Sequence, residues 1–394
     1  MRILILSHMY PSPTNHISGT FVHQQAKALT ALGHDVKVVS PLPWMPRWSA
    51  LLAKRAKKYV EVPMRYSLDG IEVYFPRYII FPKHMFFEYS GDWYYNAIKS
   101  MIAQLYSTWP FDIIHAHVAL PDGYAGVKLK NIYNKPLIIT VHGQDVNYTI
   151  HRNAASKAKV TQALTAADAV VAVSSMLKQS LTAFVDERKI EIIHNGIDIS
   201  IVEQPKAIKE KYIDKKIIVS VGNLLKSKGQ HIVIKALKEI LDGHKDVVYI
   251  IVGKGPYREE LERLVNRLEL HPYVEFTGQL QHDKAMEYVQ ACDIFALPSY
   301  PEGFGIAFVE AMAYGKAVIA CKGTGIEDVI RNGENGLLVE PDNVEAVAQS
   351  ICRLLDDEAY AQTIGRHAML SIDKLTWENN AQQLDQLYER VVQR

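Results

Sequence analysis

The chain has 394 residues, of which 48% are hydrophobic and 22% are charged, and its formal net charge is +1. This length predicts two or three domains, and the composition is that of an ordinary soluble globular protein. The three cysteines form no CxxC pair, which argues against a structural zinc site and against a disulfide scaffold. The chain contains no run of about 18 uncharged apolar residues, so we expect no transmembrane helix and a cytoplasmic location.

Short apolar runs rich in β-branched residues alternate with amphipathic stretches along the whole chain. Near-continuous apolar runs are typical of parallel strands that are covered on both faces. In the first half the predicted strands are 3–6, 36–40, 71–75, 113–117, 137–141, 169–173 and 191–193, with helices such as 21–31 and 156–166 between them. In the second half the predicted strands are 217–221, 247–252, 274–277, 294–297, 317–320 and 337–339, with helices at about 231–241, 257–268, 283–291, 307–313 and 344–355. The pattern predicts an α/β fold of two doubly wound, Rossmann-like domains.

The alternation restarts after a polar, helix-poor connection over 198–216, which we interpret as the interdomain linker. Ligands of doubly wound sheets bind beyond the carboxyl ends of the strands. Two such domains facing one another would therefore place a ligand cleft between them.

Charge is distributed unevenly along the chain. Residues 1–200 carry a net charge of +7 and residues 201–394 a net charge of −6. The stretch 44–66, hereafter the basic insert, has six basic residues and one acid, with Trp44, Trp48 and other apolar side chains between them. One interpretation is a solvated helix face beside core aromatics. The other is a surface that meets anionic lipid head groups.

The segment 297–313 carries the pattern richest in chemistry. A predicted strand ends at Pro298, a loop with one acid and two glycines follows, and a helix then begins with no side chain crowding its first amides. Such N–H groups and the helix dipole form an anion site suited to phosphate. Glu302 in the loop can meet a sugar, and Glu310, about one turn into the helix, can bind ribose hydroxyls. The structural alternative makes Glu302 a helix cap and Glu310 a solvated helix residue.

This segment, P-E-G-F-G-x-x-x-x-E-A-M-A-x-G over 301–315, resembles the signature of retaining glycosyltransferase family 4, which has the GT-B fold. The resemblance extends over nearly the whole chain, through 1–7 with Gly19-Thr20-Phe21, Thr140-Val141-His142-Gly143, His194-Asn195-Gly196-Ile197-Asp198 and Leu375-Thr376-Trp377-Glu378. The basic insert, which follows the second strand, is most similar to that of polysaccharide-building members of the teichuronic-acid type.

The resemblance implies a role for each matching residue. Glu310 would bind the ribose of a nucleotide sugar, and Lys228 would neutralise the charge that grows on the nucleoside diphosphate as it leaves. Glu302 and the backbone would hold the donor sugar and diphosphate, the backbone part being that of Gly303, Phe304, Gly305 and Ile306. His142 would contact the donor sugar and the acceptor. The predicted catalytic residues are thus His142, Glu302 and Lys228, and the nucleotide site adds Gly19, Gly222, Asn223 and Gly253.

One position departs from the family pattern. The family commonly has G-R-L where this chain has Gly222-Asn223-Leu224, and asparagine can hydrogen-bond a phosphate but brings no charge. Lys226 is a candidate to supply the missing cation. For Lys228 the structural alternative is an ordinary exposed lysine at a helix start.

Other histidines and acids near the predicted strand ends give weaker indications. His115 and His117 alternate on one strand and so point to one face, but no carboxylate or cysteine joins them at a metal-ligand spacing. We expect one of them to be buried and hydrogen-bonded and the other to lie near the cleft. Asp145, three residues after His142, is a weak site candidate.

The sequence lacks three motifs, and this narrows the cofactors and metal ions that the site could use. The fingerprint GxGxxG does not follow the first strand, which disfavours NAD and FAD, and no GxxxxGK[ST] phosphate loop is present. The sequence also lacks Asp-x-Asp, the usual carboxylate pair for a divalent ion in the other large glycosyltransferase fold. We therefore expect a metal-independent site without a cofactor.

The resemblance implies three parts of the chain: an acceptor-binding domain over 1–200, a nucleotide-sugar-binding domain over 201–372 and a helix over 373–394 that crosses back onto the first domain. It implies a retaining enzyme that transfers a sugar from a nucleoside-diphosphate sugar, UDP rather than GDP by preference, to a lipid-linked or polysaccharide acceptor in cell-surface glycan synthesis. The basic insert predicts peripheral contact with the inner face of the cell membrane, and nothing in the sequence indicates a nucleic-acid partner. The alternatives are an epimerase or phosphorylase on the same fold, or a non-catalytic protein that binds nucleotide sugars or glycans.

Overall fold

The computed structural model describes residues 1–46, 48, 54–81, 85–198 and 205–393, without the side chains of 54–56. The chain divides into two compact units. Unit 1 comprises Met1–Gly196 and Trp377–Arg394, and unit 2 comprises Ile197–Thr376.

Unit 1 is built on an eight-stranded sheet and a small two-stranded one. Its strands are β1 (Arg2–Leu6), β2 (Asp35–Val39), β3 (Leu42–Pro43), β4 (Arg65–Leu68), β5 (Ile71–Tyr74), β6 (Arg77–Tyr78), β7 (Ile113–His117), β8 (Leu137–Val141), β9 (Ala169–Ala172) and β10 (Ile190–Ile192). The large sheet has the order β10-β9-β8-β7-β1-β2-β5-β4, and β3 pairs with β6. In the large sheet only the edge pair β4–β5 is antiparallel.

Helices cover this sheet. They are α1 (Thr20–Ala31), α2 (Lys54–Val60), α3 (Ser90–Thr108), α4 (Tyr124–Tyr133), α5 (Gln144–Asn147), α6 (Ala154–Ala166) and α7 (Ser175–Leu181), followed much later in the chain by Trp377–Val392. Short 3-10 or π turns lie at Phe87–Tyr89, Ala119–Gly123, Thr149–His151 and Glu187–Lys189. Every residue of β7 and β8 is buried, as expected for central parallel strands with both faces covered. The helix Trp377–Val392 contributes Leu384, Leu387 and Tyr388 to the same core.

Unit 2 has a six-stranded, fully parallel sheet. Its strands are β11 (Lys216–Val221), β12 (Val247–Val252), β13 (Val274–Gly278), β14 (Ile294–Ala296), β15 (Ala317–Cys321) and β16 (Leu337–Val339), in the order β13-β12-β11-β14-β15-β16. Its helices are α8 (Lys206–Lys211), α9 (Gln230–Gly243), α10 (Arg258–Arg267), α11 (His282–Ala291), α12 (Ile306–Ala313), α13 (Val344–Asp356) and α14 (Glu358–Ser371), so the helix Trp377–Val392 is α15. Short 3-10 turns lie at Lys226–Lys228 and Gly325–Asp328.

The predicted α/β class is confirmed, and the predicted strands agree closely with the structure. The strands predicted at 113–117, 137–141, 247–252 and 337–339 match at both ends, and the others differ by one residue at one or both ends. Continuous apolar runs made these strands easy to recognise. The short strands β3, β4 and β6 were not predicted, because their partly exposed residues form no such run.

In its described part, residues 198 and 205–216, the predicted helix-poor interdomain linker was wrong; residues 199–204 of that segment lie outside the described residues. Unit 2 already begins at Ile197, whose N–H donates to the carbonyl of Leu375 at 2.9 Å. Within the segment, α8 forms and buries Ile208. Two adjacent apolar residues, Ala207 and Ile208, among three lysines and one glutamate give too weak a periodicity for a short helix to be recognised.

Candidate functional site

Three loops of unit 2 are tied together at the carboxyl edge of β11, β12 and β14. The loop after β11 is joined to the loop after β12, because the N–H of Leu224 donates to the carbonyl of Lys254 at 3.0 Å. It is joined to the loop after β14 as well, because the N–H of Tyr300 donates to the carbonyl of Ser227 at 2.8 Å. This edge is where doubly wound sheets bind their ligands.

Two glycines allow these loops to approach so closely. Gly253 has φ of +148°, and a Cβ placed on it would lie 1.9 Å from the carbonyl oxygen of Gly222. Gly229 has φ of +73°, and a Cβ there would lie 2.1 Å from the carbonyl oxygen of Pro298. Each contact is with backbone, which cannot rotate away, so both positions require glycine.

We expect Gly229→Ala to destabilise unit 2 more than Gly333→Ala does. Both glycines have positive φ, but the nearest atom to a Cβ on Gly333 is the Tyr360 hydroxyl at 3.9 Å. Gly333→Ala, the matched control, should therefore lower the free energy of unfolding by only about 1–2 kcal/mol, the cost of a left-handed backbone for a residue with a Cβ. Gly229→Ala adds a backbone clash and should lose at least about 1–3 kcal/mol more. Urea unfolding measures both, and equal losses would contradict the close approach.

Lys228 and Glu302 meet where these loops join. Lys228 Nζ donates to Glu302 Oε2 at 2.5 Å, and Ser299 Oγ donates to the same oxygen at 3.1 Å. Only 24% of the lysine side chain and 15% of the glutamate side chain are exposed. Lys228 is thus not an ordinary exposed lysine, and the structural alternative for it was wrong.

Helix α12 begins beside this ion pair with no side chain capping it. Its N-cap is Gly305, with φ of +86°, and no side-chain cap hydrogen bond is made there. Glu302 bonds to Lys228 and Ser299 instead, so the alternative that it caps the helix was wrong. An uncapped helix N-terminus next to a lysine favours an anionic ligand, phosphate above all.

Glu310 lies in the fifth position of α12 and is mostly withdrawn from water. Only 16% of its side chain is exposed, and burial raises the pKa of its carboxyl to about 8. His282 lies close to it, with Nε2 3.5 Å from Glu310 Oε1. The alternative of a solvated helix residue was therefore wrong. A buried carboxyl of this kind is suited to bind a pair of neutral hydroxyls.

An open depression of about 540 Å³ lies beside the loops after β11 and β12. Asn223 and Lys254 line it, together with Leu225, Gly255 and Pro256. Lys226, the candidate to replace the cation missing at position 223, is exposed and does not line this depression. Lys254 is the lysine that the fold places next to Asn223.

In unit 1, His142 follows the end of β8. Its ring centroid lies 4.7 Å from that of Phe21, and its Nε2 lies 3.0 Å from His117 Nδ1. Burial lowers the pKa of His142 to about 3, so the imidazole is neutral at pH 7. Gly19, the N-cap of α1, has φ of +68°, and a Cβ on it would lie 2.2 Å from the carbonyl oxygen of Met9.

The expectation that one of His115 and His117 is buried and hydrogen-bonded is confirmed, and the expectation that the other lies near the cleft stays a prediction. Both are fully buried, and His115 hydrogen-bonds the Tyr388 hydroxyl and the Thr140 hydroxyl, each at 2.7 Å. His117 is buried as well, because β7 is covered on both faces. It lies behind His142 and hydrogen-bonds it. His117 therefore positions the ring of His142.

Sequence reasoning missed a buried acid and its histidine in unit 1. Asp122 is fully buried, and it accepts hydrogen bonds from the His8 N–H at 2.9 Å and from the His8 ring Nδ1 at 2.7 Å. Burial raises the pKa of Asp122, and the nearby His8 only partly opposes this rise. The pair could have been recognised from the positions of the two residues in the sequence. His8 and Asp122 both follow the carboxyl ends of neighbouring strands, β1 and β7.

The predicted site residues fall into two groups by unit. Unit 1 holds Gly19 and His142, and unit 2 holds Gly222, Asn223, Lys228, Gly253, Glu302, Gly303, Phe304, Gly305, Ile306 and Glu310. Within unit 2, the structure brings Lys228 and Glu302 into direct contact and places Glu310 one turn into the helix that follows Glu302. The assignment of all these residues to binding and catalysis stays a prediction.

Two α/β units on largely parallel sheets, with an uncapped helix start beside a lysine in the second, are features of a GT-B glycosyltransferase. The family model described as "Glycosyltransferase Family 4" matches residues 18–201, and that described as "Glycosyl transferases group 1" matches residues 202–370. The chain belongs to this glycosyltransferase family, and the predicted membership and GT-B fold are confirmed.

Individual relatives agree with this assignment. The chain is 30% identical over 280 residues to MJ1178 of Methanocaldococcus jannaschii, an uncharacterized glycosyltransferase, covering 71% of this chain and 76% of the relative. It is 29% identical over 363 residues to TuaC of Bacillus subtilis, covering 90% and 89%; the description of TuaC assigns it to teichuronic acid biosynthesis as a glycosyltransferase. Among solved structures, Anabaena HepE in complex with UDP-glucose shares the fold, with a TM-score of 0.76, 21% identity and coverage of 99% and 100%.

Proposed function

We propose that this protein is a retaining glycosyltransferase that moves a sugar from a nucleoside-diphosphate sugar to a lipid-linked or polysaccharide acceptor in cell-surface glycan synthesis. The observation that carries the proposal is the arrangement of Lys228, Glu302 and Glu310 around the uncapped start of α12. Each of the three is mostly buried at the sheet edge where ligands of such folds bind. The descriptions of the relatives, TuaC above all, support the role in glycan synthesis.

On the donor side, the diphosphate would lie at the start of α12 with Lys228 against it. As the bond from the sugar C1 to the diphosphate breaks, negative charge grows on the leaving oxygen, and Lys228 stabilises it. Lys228 would then exchange its bond to Glu302 for one to phosphate, which frees the Glu302 carboxylate for the sugar hydroxyls. The carboxyl of Glu310 would hold the ribose.

The proposed route to retention is front-side attack. The acceptor oxygen forms its bond to C1 on the face that the diphosphate leaves, and the leaving phosphate oxygen takes the acceptor proton. Atoms and charge then balance without an enzymic nucleophile. The neutral imidazole of His142 would hydrogen-bond the transferred sugar and the acceptor, and the lack of an Asp-x-Asp pair supports a route without a metal ion.

A UDP-sugar is the preferred donor. The UDP-glucose bound to Anabaena HepE, which shares the fold, supports this choice over GDP. Thermal unfolding with a panel of UDP-, GDP- and ADP-sugars tests it, because a ligand bound only by the native state stabilises by about 2.7 kcal/mol at one hundred times its Kd. We expect UDP-sugars to raise the unfolding midpoint most. Unchanged midpoints at millimolar concentrations of every donor would contradict the proposal.

Activity assays with the donor that raises the unfolding midpoint most distinguish a transferase from an epimerase and from a non-catalytic binding protein. Nucleoside diphosphate released on transfer to an acceptor or to water supports a transferase. Isomerised sugar nucleotide, formed without an acceptor, would indicate an epimerase, and binding with no turnover would indicate a non-catalytic binding protein.

We further propose that the basic insert contacts an anionic membrane surface. In the described part of the insert, Trp44 and Trp48 are 58% and 64% exposed, and Lys57 and Lys58 on α2 are exposed as well. Aromatic side chains suit the interface and lysines suit anionic head groups. Arg47 and residues 49–53 lie outside the described residues. Among the helices of the described ranges, none has the length and apolar character needed to cross a bilayer.

The double variant Lys57→Ala/Lys58→Ala should lose affinity for anionic vesicles. Each lysine near such a surface contributes about 1 kcal/mol, so two predict a loss of about thirtyfold. Co-sedimentation with phosphatidylcholine vesicles, with and without phosphatidylglycerol, measures it. Lys238→Ala/Lys245→Ala, which removes two exposed lysines of unit 2, is the matched control. Equal binding to neutral and anionic vesicles would contradict the membrane proposal.

A further inference from the structure

Unit 1 contains a partly enclosed cavity of about 120 Å³ that the donor chemistry does not use. It lies where the loops after β1, β7 and β8 meet, next to the loop of His142. Most of its wall is apolar or aromatic: Tyr78, Ile80, Phe81, Met85, Phe87, Trp93, Val118, Leu120 and Pro121. Its polar lining is His8, Ser90, Gln144, Asp145 and Thr149.

One residue that lines the cavity carries a buried oxygen without a hydrogen-bond partner in the described part of the chain. Asp145 is 1% exposed, and its Oδ1 accepts the N–H of Ala119 at 2.8 Å. Its other oxygen, Oδ2, is buried and has no hydrogen-bond partner within the described ranges. Leaving such an atom unpaired costs about 1–3 kcal/mol, which a ligand that donates a hydrogen bond would recover.

The open end of the cavity merges with an exposed apolar surface. Ile80, Phe81 and Met85 line the cavity, yet they are 42%, 39% and 54% exposed. Beside them the surface continues through Ile79 and Phe86, which are 58% and 50% exposed. Several large apolar side chains exposed together mark an interaction site rather than an ordinary surface.

This apolar surface adjoins the basic insert. The N–H of Trp44 donates to the carbonyl of Tyr78 at 2.7 Å, which places the start of the insert beside the strand that leads to Ile79. Trp44, which is 58% exposed at the start of the insert, thus lies next to this apolar surface. Exposed aromatic and aliphatic side chains of this kind are suited to contact lipid hydrocarbon at a membrane interface.

The cavity volume limits what can enter. A cavity of about 150 Å³ with apolar walls holds one benzene molecule. The present cavity is somewhat smaller, so it accommodates a short branched hydrocarbon segment, and not a complete sugar chain or lipid.

We infer that this cavity binds the end of an amphiphilic acceptor, with a hydroxyl donating to Asp145 Oδ2, a short hydrocarbon segment against Phe81 and Trp93, and the rest of the hydrocarbon on the apolar surface at the membrane. The inference rests on the proposed function, since it names the acceptor class of that reaction. It assigns Asp145 to acceptor recognition, a role distinct from that of His142.

Geraniol, a branched ten-carbon alcohol, is a suitable probe, and calorimetric titration measures its binding. Ser90→Phe places a ring inside the cavity and should weaken geraniol binding at least tenfold. Asp145→Asn should weaken it about three- to tenfold through the lost carboxylate oxygen. Ile213→Ser, which changes an isoleucine of unit 2 that is 78% exposed, is the control and should bind geraniol as the wild type does.

Thermal unfolding shows which variants are folded. If Ser90→Phe does not fold, the surface variant Phe81→Ser replaces it. Phe81→Ser should weaken geraniol binding at least threefold. Wild-type affinity for geraniol in a folded Ser90→Phe or Phe81→Ser variant would overturn the inference. If geraniol fails to bind the wild type while UDP binds, the cavity inference fails and the proposed function stands. If geraniol binds and no nucleotide does, the proposed function fails instead.

Discussion

Replacing Lys228 by alanine lowers kcat for sugar transfer by about 10²–10³-fold, the loss typical when one group that stabilises a developing negative charge is removed. The effect is large because Lys228 is only 24% exposed, so little water is available to take its place. The donor KM changes much less, since the charge on the leaving oxygen is largest in the transition state. Steady-state kinetics with the donor found by thermal unfolding measures both constants.

Lys238→Ala, which removes an exposed lysine from α9, is the control and should keep wild-type kinetics. A Lys228→Ala variant with wild-type kcat would remove Lys228 from the mechanism. A loss confined to KM would make it a binding residue only.

Above the Glu310 pKa of about 8, replacing Glu310 by glutamine weakens nucleotide binding by about 10- to 100-fold, because hydrogen bonds to a charged group contribute about 1.5–3 kcal/mol. Glutamine keeps the size of the side chain, so packing in α12 should change little. Calorimetric titration with UDP measures the affinity. Glu259→Gln, at an exposed position on α10, is the matched control. Wild-type UDP affinity in Glu310→Gln would contradict the ribose assignment.

The same residue predicts a pH dependence of binding. Burial raises the pKa of Glu310 to about 8, so in the free protein the carboxyl is largely protonated at pH 7. A carboxylate accepts two ribose hydroxyls and a protonated carboxyl accepts fewer, so UDP binding favours loss of the proton. Affinity should rise as the pH rises towards 8 and level off above it. In Glu310→Gln this rise should disappear.

The raised pKa of Glu310 also makes the free energy of unfolding depend on pH. This free energy falls as the pH rises, whereas the affinity for UDP rises. The native state keeps a proton on Glu310 that the unfolded state has lost above about pH 4.5. The stabilisation is complete below pH 4.5 and is lost as the pH rises through about 8. The free energy of unfolding of Glu310→Gln should therefore fall less than that of the wild type between pH 5 and 8. Urea unfolding at the two pH values tests this.

The strands and the glutamate motif could be predicted because their signals are local. Continuous apolar runs mark the parallel strands, and Glu302 and Glu310 stand in one segment with the glycine loop. The partner of Glu302 was not foreseeable in the same way. Lys228 lies 74 residues earlier, and it reaches Glu302 only because β14 pairs directly with β11.

The arrangement of unit 1 depended even more on distant contacts. His115 bonds to Tyr388, 273 residues away, through a helix from the end of the chain. Asp122 and His8 are 114 residues apart and meet only because β1 and β7 are neighbours. The spacing of residues along the sequence does not indicate that such distant residues form hydrogen bonds. The short helix α8 was missed for another reason, since one buried isoleucine gives no readable period.

We expect unit 2 to hold a nucleoside-diphosphate sugar against Lys228, and the sugar to be transferred with retention and without a metal ion. The most direct measurement uses the donor that raises the unfolding midpoint most, in the presence of EDTA. Proton NMR then determines the anomeric configuration of the sugar when it is first released. We expect the released sugar to have the anomeric configuration of the donor, and the rate of release to fall about 10²–10³-fold in Lys228→Ala. Release of the opposite anomer, or release that stops when EDTA is added, would contradict this expectation.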